Sequence, residues 1–388
     1  MSNVSSSNSQ KANVPKLRFP EFTDEWELVK LSDVASGFDY GIAAASTKYD
    51  GKNKYIRITD IDESSRKYKV IDPVSPDAIL DDKYLVQEND ILLARTGASV
   101  GKAYLYDKKD GNLYFAGFLI RINIFKDNAN FIFAQTFTNN YWKWVNSTSM
   151  RSGQPGINSK EYATYSFYTT SKPEQDKIAN FIALIDRRIY LQNEIIDKLK
   201  SYKRGVISHL NSHTSNSFEI SIGSIFKITR GNVLSTREIS PIKTSEYCYP
   251  VYSSQTKNEG LLGYYDEFLY ENAITWTTDG ANAGYTKYRQ GKFYCTNVCG
   301  VLINDKGYSN AYVAEMINLI SKKYVSYVGN PKLMNNVMSE IKLIVPKVQE
   351  QQKYSHILSF IDKRINMSTN ILNNLNLIKD SLLQKMFI

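Results

Sequence analysis

Apolar positions recur along two stretches of the chain at alternating spacings of four and three, the pattern of a helix with one apolar seam. The first seam runs Ile178, Ile182, Ile185, Ile189, Gln192, Ile196, Leu199, Lys203, Val206 and Leu210. The second runs Tyr354, Leu358, Ile361, Ile365, Ser368, Leu372, Leu375, Lys379, Leu382 and Met386. Polar residues interrupt both at the same places, Gln192 with Ser368 and Lys203 with Lys379. A helix of roughly 37 residues extends about 55 Å. With one stripe only it is poorly stable alone, so the two helices are expected to pack on each other as a coiled coil. The remaining pattern is that of short strands between Gly, Asn and Asp turns: "KYIRITDI", "DILLARTG", "KAYLYD", "YFAGFLIRINIF", "EYCYPVYSS" and "NAITWTT". Helical stretches follow near "NANFIFAQTFTNNYWKWV" and "NAYVAEMINLISKKYV".

The matched seams belong to a longer internal repeat. "EQDKIANFIALIDRRI" at 174–189 lies over "EQQKYSHILSFIDKRI" at 350–365, and the pairing continues without a gap through Leu199/Leu375 and Lys203/Lys379. At a second constant shift, Gly97, Ala98 and Gly101 meet Gly280, Ala281 and Gly284. At that shift Gly117, Leu119 and Ile120 are expected to meet Gly300, Leu302 and Ile303. The order is globular unit, long helix, globular unit, long helix. The expected division is a tail at 1–14, a globular unit at 15–171, a helix at 172–210, a second unit at 211–347 and a helix at 348–388. The fold class is α+β.

Composition narrows the function. The tail, "MSNVSSSNSQKANV", is polar and is expected to be disordered, without the apolar core of a secretion signal. No apolar run approaches the roughly 20 residues of a membrane helix. Three cysteines form no disulfide framework, which points to a cytoplasmic protein. A net charge of +9 suits a polyanion, because Lys and Arg contacts to phosphates release condensed counterions.

Candidate chemistry thins out on inspection. "ARTGASVGKAY" at 94–104 suggests a phosphate-binding loop, but the glycine spacing is one residue short and Ala103 stands where a hydroxyl is needed. The second copy places Tyr285 opposite Lys102, so the shared feature is a tight turn. Pro76-Asp77 with Asp107-Lys108-Lys109 matches a nuclease pattern only loosely and has no second-copy counterpart. Methyl transfer to a DNA base would call for an Asn/Asp-Pro-Pro-aromatic segment, which is not visible. Cys295 and Cys299 align with Asn112 and Ala116, which favours buried small residues over a zinc site. His209 and His213 sit at a helix end without an acidic neighbour between them, and no nucleophile setting surrounds any histidine.

The ordered set of segments resembles the specificity subunit of type I restriction–modification systems along nearly the whole chain. Its carriers are "VPKLRFPEFTDEWELVKLSDV" with its echo "FEISIGSIF", "YIRITDID", the paired "RTGASVGK" and "DGANAG" turns, "GINSKEY" leading to "KPEQDKIANFIALIDRRI", and "VPKVQEQQKYSHILSFIDKRI". The resemblance implies a non-catalytic reader of double-stranded DNA with two target recognition domains, each reading half of a bipartite target. It implies antiparallel helices that set the half-site separation and dock two methyltransferase (modification) subunits. No cofactor is expected in this chain. S-adenosylmethionine would sit on modification subunits, with ATP and Mg2+ on two restriction subunits.

Loop-borne polar residues are the expected DNA contacts. In the first unit they are Tyr40, Ser46, Thr47, Lys48, Arg57, Arg95, Ser99, Lys102, Arg151 and Gln154. In the second they are Arg230, Asn232, Ser253, Ser254, Gln255, Asn282, Tyr285 and Lys287.

Overall fold

The computed structural model describes residues 13–69, 71–212, 217–254 and 257–388, the side chains of 257 and 258 excepted. Most of the expected tail, His213 and Gln255 lie outside the described residues. The chain divides into two compact units, Met1–Leu191 with Leu372–Ile388, and Gln192–Ile371. Each unit therefore holds one globular part and half of each long helix, whereas the division expected from sequence separates globular parts from helices.

The first unit is built on a four-stranded sheet in the order Ala35–Tyr40, Leu119–Ile124, Asp90–Ala94, Ala103–Leu105. The second repeats that order with Lys227–Arg230, Cys299–Ile303, Tyr270–Thr277 and Thr286–Cys295, then adds Tyr249–Tyr252 and Leu261–Tyr265. Each unit also closes its ends with a small antiparallel pair, Glu27–Lys30 on Ser166–Thr169 and Phe218–Ser221 on Lys342–Val345. The strands read from sequence are present with two differences: "YFAGFLIRINIF" is divided by a turn into Leu113–Phe115 and Leu119–Ile124, and "KYIRITDI" is a strand only over Lys54–Ile56. It then turns into a 3-10 segment at Ile58–Asp60, with Arg57 tied to the Asp60 carboxylate.

The long helices run Lys172–Ser212 and Val348–Met386. Every seam position read from sequence is buried or half-buried. The polar interruptions find partners. Gln192 Nε2 donates to the Ser368 carbonyl at 3.0 Å, and Lys203 Nζ meets Glu315 at 2.5 Å and Asp362 at 2.7 Å. Lys379 meets Asp186 at 2.6 Å. In the Gln192–Ile371 unit, 192 faces 368 while 203 faces 362, so the helices run antiparallel there.

The repeated Glu-Gln pair opening each helix also has a structural reason. Gln175 accepts from the Asn128 backbone N–H and donates to the Thr170 carbonyl. Gln351 accepts from the Asn310 side chain and donates to the Pro346 carbonyl. Asn128 and Asn310 are N-caps of the shorter helices Ala129–Gln135 and Ala311–Ser321, so each glutamine fixes a helix of its globular part against the long helix. Cores of the units reach the long helices and the C-terminal residues likewise: Trp26 and Phe131 pack with Ile178, Leu383 and Phe387, and Tyr312 and Ile317 with Ile207 and Leu358.

The strand ladders correct part of the repeat. Ala94 pairs with Leu119 and Leu93 with Ile120, while Thr277 pairs with Cys299 and Trp276 with Gly300. Gly300 is thus the counterpart of Ile120, and Gly117 matches Asn297 instead. Parallel pairing agrees, with Tyr55–Tyr114 answering Val251–Tyr294. Three residues are missing from the second copy before this strand, which moves the alignment. A Cβ on Gly300 would lie 2.1 Å from the Trp276 ring, so the glycine makes room for an indole. Cys295 and Cys299 consequently stand at the core positions of Phe115 and Leu119, not of Asn112 and Ala116. Both thiols are buried, and burial pushes Cys299 up to about 11, which leaves it a protonated, unreactive core residue.

Candidate nucleic-acid interface

The paired glycine turns organise one face of each unit. Gly97 and Gly101 have φ of 74° and 85°, and Gly280 and Gly284 have φ of 96° and 86°, the left-handed region that favours glycine. Gly101 N–H donates to the Ala94 carbonyl and Gly284 N–H to that of Thr277, so both turns fold back on the same strand. Lys102 and Tyr285 follow at equivalent positions.

In the first unit five of the expected residues come together around this turn. Arg95, Arg151 and Gln154 line an open recess with Thr96 and Pro155. The Arg95 guanidinium lies 4.6 Å from the Tyr40 ring centre, and the Tyr40 hydroxyl accepts from the Ser159 backbone N–H. Ser99 lies half-buried within the turn. Arg151 is exposed and ion-paired with Glu161. A second group is separate in the structure: Ser46, Thr47 and Lys48 form an exposed strand against Val74–Pro76, with the Arg57 guanidinium 3.3 Å from the Ser46 hydroxyl.

Lys102 departs from the expectation. Its side chain is 3% exposed, donates to the Ile61 carbonyl at 3.0 Å and is closed over by Glu63. An ammonium so placed serves the fold and does not face a DNA phosphate.

In the second unit Arg230 takes the place of Tyr40, since each ends the strand opposite the Ile120/Gly300 position. Its guanidinium contacts Asn335, the counterpart of Ser159. Ser253 takes the place of Arg57, one residue beyond the parallel strand, with Ser254 beside it and both half-buried. Asn232 and Asn282 are exposed, and Tyr285 is 38% exposed. Lys287 is again a correction. It lies 3.0 Å from Glu259 and 3.4 Å from Asp362 of the second long helix. Burial opposes its charge, but those carboxylates outweigh burial and raise its pKa.

Sequence reading missed the loop around Asn330. Tyr327, Asn330 and Lys332 are exposed and occupy the places of Arg151, Gln154 and Gly156. A signal was present: "GQP" and "GNP" recur at the same shift as the long helices. Among the described residues no group of three or more His, Cys, Asp or Glu could hold a metal ion. Asp107 accepts from the Lys109 backbone N–H and pairs with its ammonium, a turn cap. No helix among the described residues is long and apolar enough to cross a membrane.

A family model for the type I restriction modification DNA specificity domain matches residues 23–201 and again 215–377. A Mycoplasma pneumoniae protein described as the N-terminal part of a type I specificity subunit is 39% identical over 140 residues, 35% of this chain and 73% of that protein. A second M. pneumoniae type I specificity subunit is 30% identical over 223 residues, 55% of this chain and 81% of the relative. The crystal structure of a type I restriction-modification S subunit from M. genitalium superposes with a TM-score of 0.69 at 19% identity, over 97% of this chain and 99% of that one.

Proposed function

The chain belongs to the family of type I restriction–modification DNA specificity subunits, two family domains in one chain, and from that premise we propose how its two units divide the work. Each unit reads one half of a bipartite duplex target with the face around its glycine turn, in the cytoplasm. In the first unit Tyr40, Arg95, Ser99, Arg151 and Gln154 form the central part of that face, flanked by Ser46, Thr47, Lys48 and Arg57. In the second Arg230, Asn232, Ser253, Ser254, Asn282 and Tyr285 do so. The carrying observation is that both faces are built from equivalent turns and equivalent strand ends, while the side chains on them differ. A shared frame with different side chains suits two readers of different half-sites.

The paired helices hold the readers at a fixed separation and dock two modification subunits. Outward apolar residues repeat at the seam's own shift: Leu184, Leu191, Ile195 and Tyr202 answer Phe360, Met367, Ile371 and Ile378, all exposed. Such exposed stripes on helices mark protein contacts. Because the stripe occurs twice, it supports two copies of one partner, to which restriction subunits add. Those partners carry S-adenosylmethionine, ATP and Mg2+, and this chain carries no catalytic group.

The test is a mobility shift of the complex with its modification subunits on duplexes whose unread gap is lengthened one base pair at a time. Binding should fall sharply away from one gap length, since bivalent affinity requires both sites to be reachable together. Equal binding at all gap lengths would contradict the two-reader arrangement.

A further inference from the structure

In both units one loop closes onto the glycine turn through the same bonds. Gly97 N–H donates to the Pro155 carbonyl at 3.0 Å, and Gly280 N–H to the Pro331 carbonyl at 2.9 Å. Two residues on, Ile157 N–H donates to the Arg95 carbonyl and Leu333 N–H to that of Thr278, each at 2.9 Å. Antiparallel bridges Thr96–Gly156 and Asp279–Lys332 complete the match. At the outer end of each loop stands the same tripeptide type, Gly153-Gln154-Pro155 and Gly329-Asn330-Pro331.

The neighbours of the amide have diverged. Tyr327 stands for Arg151, Lys332 for Gly156, Asn335 for Ser159 and Thr278 for Arg95. Of the polar side chains there, only the carboxamide, between glycine and proline, is kept. It is exposed in both units. The following proline restricts the amide residue to extended backbone, which fixes the chain path from which the side chain projects. A carboxamide offers one acceptor and two donors in a plane, which matches the N7 acceptor and N6 donor of adenine in the major groove.

We propose that Gln154 and Asn330 are equivalent base-reading residues, each hydrogen-bonding the N6/N7 edge of one adenine in the half-site its unit reads. This rests on the two-reader function proposed above. It adds Asn330 to the second face and gives both amides one role. The cations beside them, Arg151 on Glu161 and Lys332 with Asp279 at 3.8 Å, are ion-paired without DNA and supply phosphate contacts only after exchanging partners.

The test is selection of duplexes from a library randomised in both half-sites by the complex with its modification subunits, for the unsubstituted chain, Gln154→Ala, Asn330→Ala and Asn330→Gln. Each alanine variant should lose about tenfold of its preference for adenine at one position of one half-site, with the other half-site unchanged. Asn330→Gln should shift or weaken preference at the Asn330 position alone. Uniformly weaker binding with unchanged preferences would make the amides phosphate contacts and overturn the proposal. So would unchanged selection, or relaxation at a position that is not adenine. If the unsubstituted complex selects no bipartite sequence, the two-reader function itself fails, an outcome distinct from any effect of the variants. Both positions are exposed, and unchanged melting of each variant will separate reading from folding.

Discussion

Lys203→Met in the first long helix is a sharp probe of how the seam is held. The ammonium lies 2.5 Å from Glu315 and 2.7 Å from Asp362, and the three side chains are only 15%, 17% and 20% exposed. Methionine keeps the buried aliphatic stem and removes the charge. Breaking a buried ion pair costs about 3–5 kcal/mol because a carboxylate is stranded. Here Lys287 remains 3.4 Å from Asp362, so chiefly Glu315 loses its cation, keeping the Asn318 amide at 3.3 Å, and the cost falls to about 2–3 kcal/mol. For a unit of this size that lowers the melting temperature by about 7 °C. Burial works against the charge of Lys203, but Glu315 and Asp362 outweigh it and raise its pKa above the ordinary 10.5. A raised pKa means the stabilisation is complete below about pH 10.5 and is lost as pH climbs through the higher folded value. Thermal unfolding of the full chain should therefore show the deficit at pH 7 to 10 and a narrowing gap above. Adding Glu315→Gln to Lys203→Met should recover part of the loss. A deficit below about 1 °C at pH 7 would refute the reasoning, since it would mean that these charges are solvated.

Other expectations follow from the same geometry. Lys379→Met, whose partner Asp186 is 43% exposed, should cost only about 1 kcal/mol by the same melting assay. Gly300→Ala should destabilise by about 1–3 kcal/mol in chemical denaturation, because its Cβ would meet the Trp276 ring at 2.1 Å. Arg95→Ala with Arg151→Ala should weaken DNA binding by the complex and reduce the log–log salt slope by about 2. Lys102→Met should lower the melting temperature and leave that salt slope unchanged, because the ammonium is closed off by Glu63.

Much of the architecture is legible in the sequence because long-period patterns survive when single residues do not. The seam, with its matched interruptions at Gln192/Ser368 and Lys203/Lys379, gives both helices and their pairing. The glycines at 97, 101, 280 and 284 give the turns, since left-handed backbone favours that residue. What fails does so for local reasons. A constant shift cannot see the three-residue deletion that puts Gly300 opposite Ile120, whereas strand register does. Lys102 and Lys287 read as exposed cations because carboxylates that neutralise them, Glu63 and Asp362, lie 39 and 75 residues away. Asn330 is missed although Gly-x-Pro repeats at the helix shift, because residue type at a loop tip carries no periodicity. Side-chain placement at that level is a tertiary property.

The central claim is that each globular part reads one half of the target on its own. The most direct measurement replaces residues 211–347 with the matching segment of a relative and maps adenine methylation across a host genome carrying the modification subunits. The expected result is a methylated motif with one half changed, the other half intact and the gap preserved. A motif changed in both halves, or unchanged in both, would contradict it.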